Sequence, residues 1–204
     1  MRARLRRLDE EKRRSLIDAA IDEIAANGIE GASYNRIIER SGLSKGAVYY
    51  YFENKESLYG MVLEEVEREF LEAVGTLKIP DDRDAFWDVC GSYYRKALDF
   101  AVSNMKTVEV ARSLIEPSSG ATPGAPAYES VRRVMRWVSY ALRKGQDLGA
   151  LRSDVAPELL WKMVRAIGHT MDSWLFDRLD DEDQVDAKEF VEFAMDMYRR
   201  VLSP

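Results

Sequence analysis

Residues 33–58, SYNRIIERSGLSKGAVYYYFENKESL, constrain this chain more than any other stretch. They spell two short helices around a tight turn, followed by the start of a third. Ser33 and Ser44 stand where a hydroxyl oxygen can accept an orphan N–H of a first helical turn. Gly42 between them supplies the backbone freedom that a sharp interhelical turn needs. The second helix, Lys45 to Tyr51, is barely two turns long and carries no acid. One cation, a bare backbone at Gly46 and three phenols suit insertion between phosphate walls, which is the layout of the second helix of a helix-turn-helix.

The flanking sequence is helical as well. From about Asp9 to Asn27, Leu16, Ile17, Ala20, Ile21 and Ile24 recur at three- and four-residue steps, and Asn27-Gly28 ends the pattern. A longer amphipathic helix starts near Asn54, carries Leu58, Met61, Val62, Val66 and Phe70, and stops before Ile79-Pro80-Asp81-Asp82. Five more follow, at about 85–101, 104–116, 127–147, 157–176 and 186–202. The residues 117–126 form a low-complexity loop, and Asp180 to Asp183 an acidic linker. No segment alternates with period two over a strand's length. The expected class is all-α, with about nine helices.

Charge is unevenly placed. The chain is net −6, but residues 1–60 hold 11 basic and 10 acidic side chains, and the first fourteen hold 7 and 3. A near-neutral head with a basic arm, residues 1–8, can present cations to a polyanion while an acidic body faces away. The arm is expected to reach phosphates or an adjacent minor groove. Apolar residues make up 46%, enough for a core. A lone Cys90 excludes an intrachain disulfide and any CxxC metal site. No apolar run is long enough to span a membrane or to serve as a signal peptide, so a cytoplasmic protein is expected. His169 is the single histidine, and it lies in an apolar helix. Alone it makes a poor metal site and cannot serve a nucleophile as base in any arrangement the sequence suggests; it reads as a core or pocket hydrogen-bonding group. No glycine-rich phosphate loop is present. The expectation is no metal, no cofactor and no enzymatic activity.

Taken together, Gly42-Leu43-Ser44-Lys45-Gly46, Tyr49, Phe52, Lys55-Glu56 and Leu58 resemble the DNA-binding signature of the TetR family of bacterial transcriptional regulators. Ile17, Ala19-Ala20, Ala26-Asn27-Gly28, Ser33 and Ile37 extend the resemblance, which covers roughly residues 13–60. Two positions depart from the family's habit: Ile38 replaces a usual alanine, and Tyr34 is larger than the usual residue.

The resemblance implies a helix-turn-helix DNA-binding domain over residues 1–55 and a helical effector-binding and dimerisation domain over 56–204. By matching positions, Lys45 would reach guanine edges or a phosphate, and Gly46 would let the backbone approach the groove. Ala47 would touch a thymine methyl, Tyr50 would face bases or phosphate, and Tyr49 and Tyr51 would meet phosphates, with Tyr34 beside them. Ser33, Ser44 and Lys55 would donate to phosphates. Val48, Phe52, Ile37 and Leu58 read as core. For an effector pocket the candidates are Trp87, Tyr93, Tyr94, Trp137, Tyr140, Met163, His169, Met171 and Trp174, because apolar cavities with a few polar handles hold small molecules. For a homodimer interface they are Ala166, Gly168, Phe190, Phe193, Ala194, Met197 and Val201, on the last two helices. The function implied is a repressor on a palindromic operator of double-stranded DNA, released by a small apolar or aromatic effector. The alternatives are a factor of the same fold without an inducer, architectural or division-type, and an enzyme or ligand carrier. The latter has no catalytic pair in this sequence to support it.

Overall fold

The computed structural model describes residues 9–52, 54–76, 78–115, 126–178 and 186–204. The basic arm, the loop up to residue 125 and the acidic linker Asp180 to Asp183 lie outside the described residues, as does the side chain of Trp137. Among the described residues the chain is nine helices with no strand. These are α1 (Glu10–Gly31), α2 (Tyr34–Arg40), α3 (Lys45–Tyr51), α4 (Lys55–Val74), α5 (Arg83–Ser103), α6 (Met105–Ile115), α7 (Pro126–Asp147), α8 (Pro157–Phe176) and α9 (Ala187–Leu202).

Two compact units result. The first comprises Met1–Glu69 and Asn104–Arg133, the second Phe70–Ser103 and Val134–Pro204. In the first, α1 is capped by Asp9, whose carboxylate accepts the N–H of Glu11 at 3.3 Å. Regular helix breaks at Gly28, where φ is +68°, a left-handed value that glycine adopts without steric cost. One more turn carries the chain to Ala32. The predicted stripe of α1 is the centre of this unit: Leu16, Ile17, Ala20, Ile21 and Ile24 are buried with Ile37, Ile38, Val48, Phe52, Leu58 and Val62. Ile38, the departure from the family habit, is accommodated inside this core at 2% exposure. Helix α6 adds Val110, Ala111 and Leu114 to the same cluster, and Lys106 pairs with Asp22 of α1. Arg13 of α1 reaches Glu65 of α4 at 3.2 Å. Helix α4 opens with a reciprocal cap, in which Asn54 Oδ1 accepts the Ser57 N–H at 2.9 Å and the Ser57 hydroxyl donates to the Asn54 carbonyl at 2.8 Å.

The second unit closes over Phe86 and Leu98 of α5, Leu142 of α7, Leu160, Met171 and Leu175 of α8, and Phe190, Val191, Ala194, Tyr198 and Leu202 of α9. Pro157 occupies the first turn of α8, where its missing N–H costs nothing. Asp186 caps α9 by accepting from the N–H groups of Lys188 and Glu189 at 2.7 and 3.1 Å. No helix among the described residues is long and apolar enough to cross a membrane.

Candidate nucleic-acid interface

Helices α2 and α3 are each seven residues long and stand on serine caps. Ser33 Oγ accepts the N–H of Arg36 at 3.4 Å, and Ser44 Oγ accepts that of Ala47 at 3.2 Å. A hydroxyl that accepts through a lone pair still has its own proton to donate outward. The turn between the helices is built by Gly42, at φ +70°, and by Ser41. The Ser41 hydroxyl donates to the Ile38 carbonyl at 2.7 Å and accepts the Leu43 N–H at 3.3 Å. Ser15 of α1 donates to the Ser41 carbonyl at 2.9 Å, clamping the turn to the first helix.

Helix α3 has two unlike faces. Val48 and the capping residue Phe52 are fully buried beneath it. On the opposite side Lys45 and Gly46 are exposed, with Tyr49 at 49% and Tyr50 at 54%. A Cβ added to Gly46 would meet nothing within 4 Å, so the chain's own packing does not require glycine there. Ala47 and Lys55 are half-buried, and Ser44 is exposed.

Tyr34 and Tyr51, also expected at the DNA, are less exposed than Tyr49 and Tyr50. Both are half-buried against the core of this unit. The Tyr34 hydroxyl donates to the Phe52 carbonyl at 3.1 Å, and its ring stands edge-on to Tyr49 at 5.4 Å. Burial, helped by the neighbouring Tyr49, pushes the Tyr34 phenol up to about 12, so it stays a donor. Tyr34 therefore braces α3 from below, and its size has a structural reason.

The sequence reading missed Glu23. This carboxylate is fully buried on α1, accepts from the Ser33 N–H at 3.1 Å and from Arg36 Nε at 2.7 Å, and lies 3.6 Å from Arg40. The hydrogen bonds from Arg36 and from the Ser33 backbone hold its pKa below the ordinary carboxylate value. The available signal was an acid at position 23, in register with Leu16 and Ala20 on an otherwise apolar stripe.

The body residues divide by exposure. Met171 is in the core of the second unit, and Trp87, Tyr94 and Met163 pack against that core. Tyr94 donates to Asp172 at 3.2 Å, and burial and that carboxylate push its phenol well up. Tyr93 is half-buried, edge-on to Phe70 at 6.2 Å. Tyr140, Trp174 and His169 are exposed, so of the two roles read for His169, core or pocket group, the core one does not hold. Cys90 is partly buried, and burial pushes its thiol up to about 11, far from a reactive thiolate at neutral pH.

The residues expected between protomers also split. Phe190 and Ala194 are buried in the chain's own core, while Met197 and Val201 are half-buried against it. Gly168 accommodates the Tyr198 hydroxyl, which an added Cβ would meet at 2.8 Å. Phe193, at 55%, and Ala166 remain exposed, as do Leu159 and Trp174. The inward turn of half the set follows from α9 using one apolar face to close its own unit.

A capped helix-turn-helix with a basic, phenolic outer face, followed by a helical body, defines a helix-turn-helix regulator fold. Known proteins agree. The family of bacterial regulatory proteins designated tetR matches residues 16–62. The transcriptional repressor SCO4008 of Streptomyces coelicolor is 30% identical over 154 residues, covering 73% of this chain and 72% of that protein. The chain belongs to the TetR family. In two further curated relatives the match spans 29% and 25% of their length. Among solved structures, a TetR family transcription regulator from Marinobacter aquaeolei VT8 superposes with a TM-score of 0.71 at 22% identity, covering 99% of this chain and 98% of that one. SmeT of Stenotrophomonas maltophilia, seen in complex with triclosan, gives 0.68 at 20% identity, covering 95% and 92%. At these identities the likeness is one of fold.

Proposed function

We propose that the chain is a sequence-specific DNA-binding repressor, with its DNA-binding domain over residues 1–55 and an effector-binding and dimerisation domain over 56–204. The observation that carries this reading is the outer face of α3. Lys45, Gly46, Tyr49 and Tyr50 are exposed together on a helix whose other face is locked into the core. Two phenols half in water and a glycine inside a helix are a poor choice for folding alone, but they fit a major groove. Ser33, Ser44 and Lys55 flank that face as phosphate donors.

The repressor named among the relatives supports the direction of control. SmeT with triclosan supports a small aromatic effector in the body. Exposed Leu159, Trp174 and Phe193 on α8 and α9 supply apolar surface for a two-fold partner. Two heads related by a two-fold axis read half-sites roughly 34–36 Å apart. An effector that binds better to heads set wrongly for that spacing lowers DNA affinity by population shift.

The test is selection of random duplexes by the purified protein. Enrichment of a palindrome is the expected result. A folded protein that enriches no sequence refutes the reading.

A further inference from the structure

The geometry points to Arg36 as a DNA-phosphate contact, paired with the Ser33 hydroxyl and held in place by the buried carboxylate of Glu23. This rests on the DNA-binding reading above. Oε1 of Glu23 accepts from the Ser33 N–H at 3.1 Å and from Arg36 Nε at 2.7 Å, and pairs with Arg36 Nη2 at 2.6 Å. One oxygen thus sets Ser33 and Arg36 side by side. Arg36 Nη2 also donates to the Gly31 carbonyl at 3.1 Å, which folds the side chain back toward the start of α2. The guanidinium is pinned along one edge, and Nη1 has no partner among the described residues.

Burial and charge both favour an outside anion. The Glu23 side chain is 0% exposed, whereas those of Arg36 and Arg40 are 50% and 52% exposed. One carboxylate facing two guanidiniums leaves one positive charge in excess at the surface. An arginine already fixed in its plane loses little entropy on meeting a phosphate, and its remaining N–H groups are aimed before the ligand arrives. Ser33 Oγ accepts from the Arg36 N–H and so has its own proton for the same phosphate. Glu23 is the positioning residue, and Arg36 makes the contact.

The experiment reads the slope of log K against log salt for a fluorescent duplex selected on the wild type. Each lost phosphate contact makes that slope shallower by about 0.9. The main variant replaces Glu23→Leu together with Arg36→Met, which leaves net charge unchanged and substitutes apolar volume for a buried pair, a change that proteins often tolerate. Expected is a folded protein by circular dichroism with a slope shallower by about 0.9 per head. If that double variant does not fold, Arg36→Gln keeps an amide donor for Glu23 and should give the same loss. Arg40→Gln removes the same charge one turn away and should leave the slope at the wild-type value.

A wild-type slope in the folded double variant or in Arg36→Gln overturns the assignment. So does an equal loss in Arg40→Gln, which would mean general charge and not an aimed contact. A wild type that binds no duplex removes the DNA reading itself, a distinguishable failure.

Discussion

Replacing Gly46 with alanine separates what α3 does for folding from what it does for binding. Glycine inside a helix costs roughly 0.5–1 kcal/mol relative to alanine, because its backbone loses more freedom on folding. Position 46 has helical geometry, and an added methyl would meet nothing within 4 Å. No steric term therefore opposes the gain, and the head should become more stable by about 0.5–1 kcal/mol. For a chain of this size that corresponds to a rise in melting temperature of about 1–4 °C. The same methyl would stand on the exposed face of α3, beside Lys45 and Tyr50, where the backbone is proposed to approach the groove. Affinity for a selected duplex should fall by about tenfold or more, equivalent to about 1.4 kcal/mol. Thermal melting by circular dichroism and fluorescence anisotropy on the same preparation give both numbers. A variant that is more stable and binds equally well refutes the close approach. A variant that is less stable refutes the helical argument.

Phe52→Ala should destabilise the head by about 3–5 kcal/mol, since the ring is fully buried; an unchanged melt would show that it is not core. Gly168→Ala should cost about 1–3 kcal/mol by overpacking, because the new Cβ would come within 2.8 Å of the Tyr198 hydroxyl. The loss should appear in dilute protein; if it appears only at concentrations where chains associate, Gly168 serves a contact between copies instead. Glu23→Gln tests linkage. The folded pKa of Glu23 lies below the ordinary carboxylate value, so its stabilisation is complete above the unfolded value and is lost as pH falls through the folded one. The melting-temperature gap between wild type and variant should therefore be widest near neutrality and narrow as pH falls below the ordinary carboxylate range. A gap that stays constant would mean that the charge on Glu23 does not matter.

The head was legible because its constraints are local. Caps at Ser33 and Ser44, the left-handed turn at Gly42 and the helical spacing of Leu16, Ile17 and Ile24 each act within a few residues, and the structure realises each one. The direction of a side chain was less legible wherever two helices compete for it. Tyr34 and Tyr49 are both aromatic and both near α3, yet one is drawn under the helix by the Phe52 carbonyl and the other is left outside. In the body, helical periodicity placed the α9 stripe but could not say which neighbour would cover it. Phe190 and Ala194 went to the chain's own core, and Phe193, three residues on from Phe190, stayed in water. A pattern of period 3.6 marks an apolar face without naming its partner.

Three positions in the head break the rules that the rest of that unit follows. Gly46 places a glycine inside a helix, Tyr50 leaves a large ring in water, and Glu23 places a carboxylate on an apolar stripe. Each is unfavourable for folding taken alone, and natural sequences concentrate such departures where a surface has another task. The three differ in how they are satisfied. Glu23 is repaid inside the chain, by Ser33 and Arg36. Gly46 has no neighbour that needs its missing side chain. Glu23, however, holds the N–H of the α2 capping residue, and the other two positions lie on the outer face of α3, so all three belong to the one helix-turn-helix. Two of the three stand on the exposed face of α3 and the third orders the cap of α2, which is what an external polyanion contacted by one face would select.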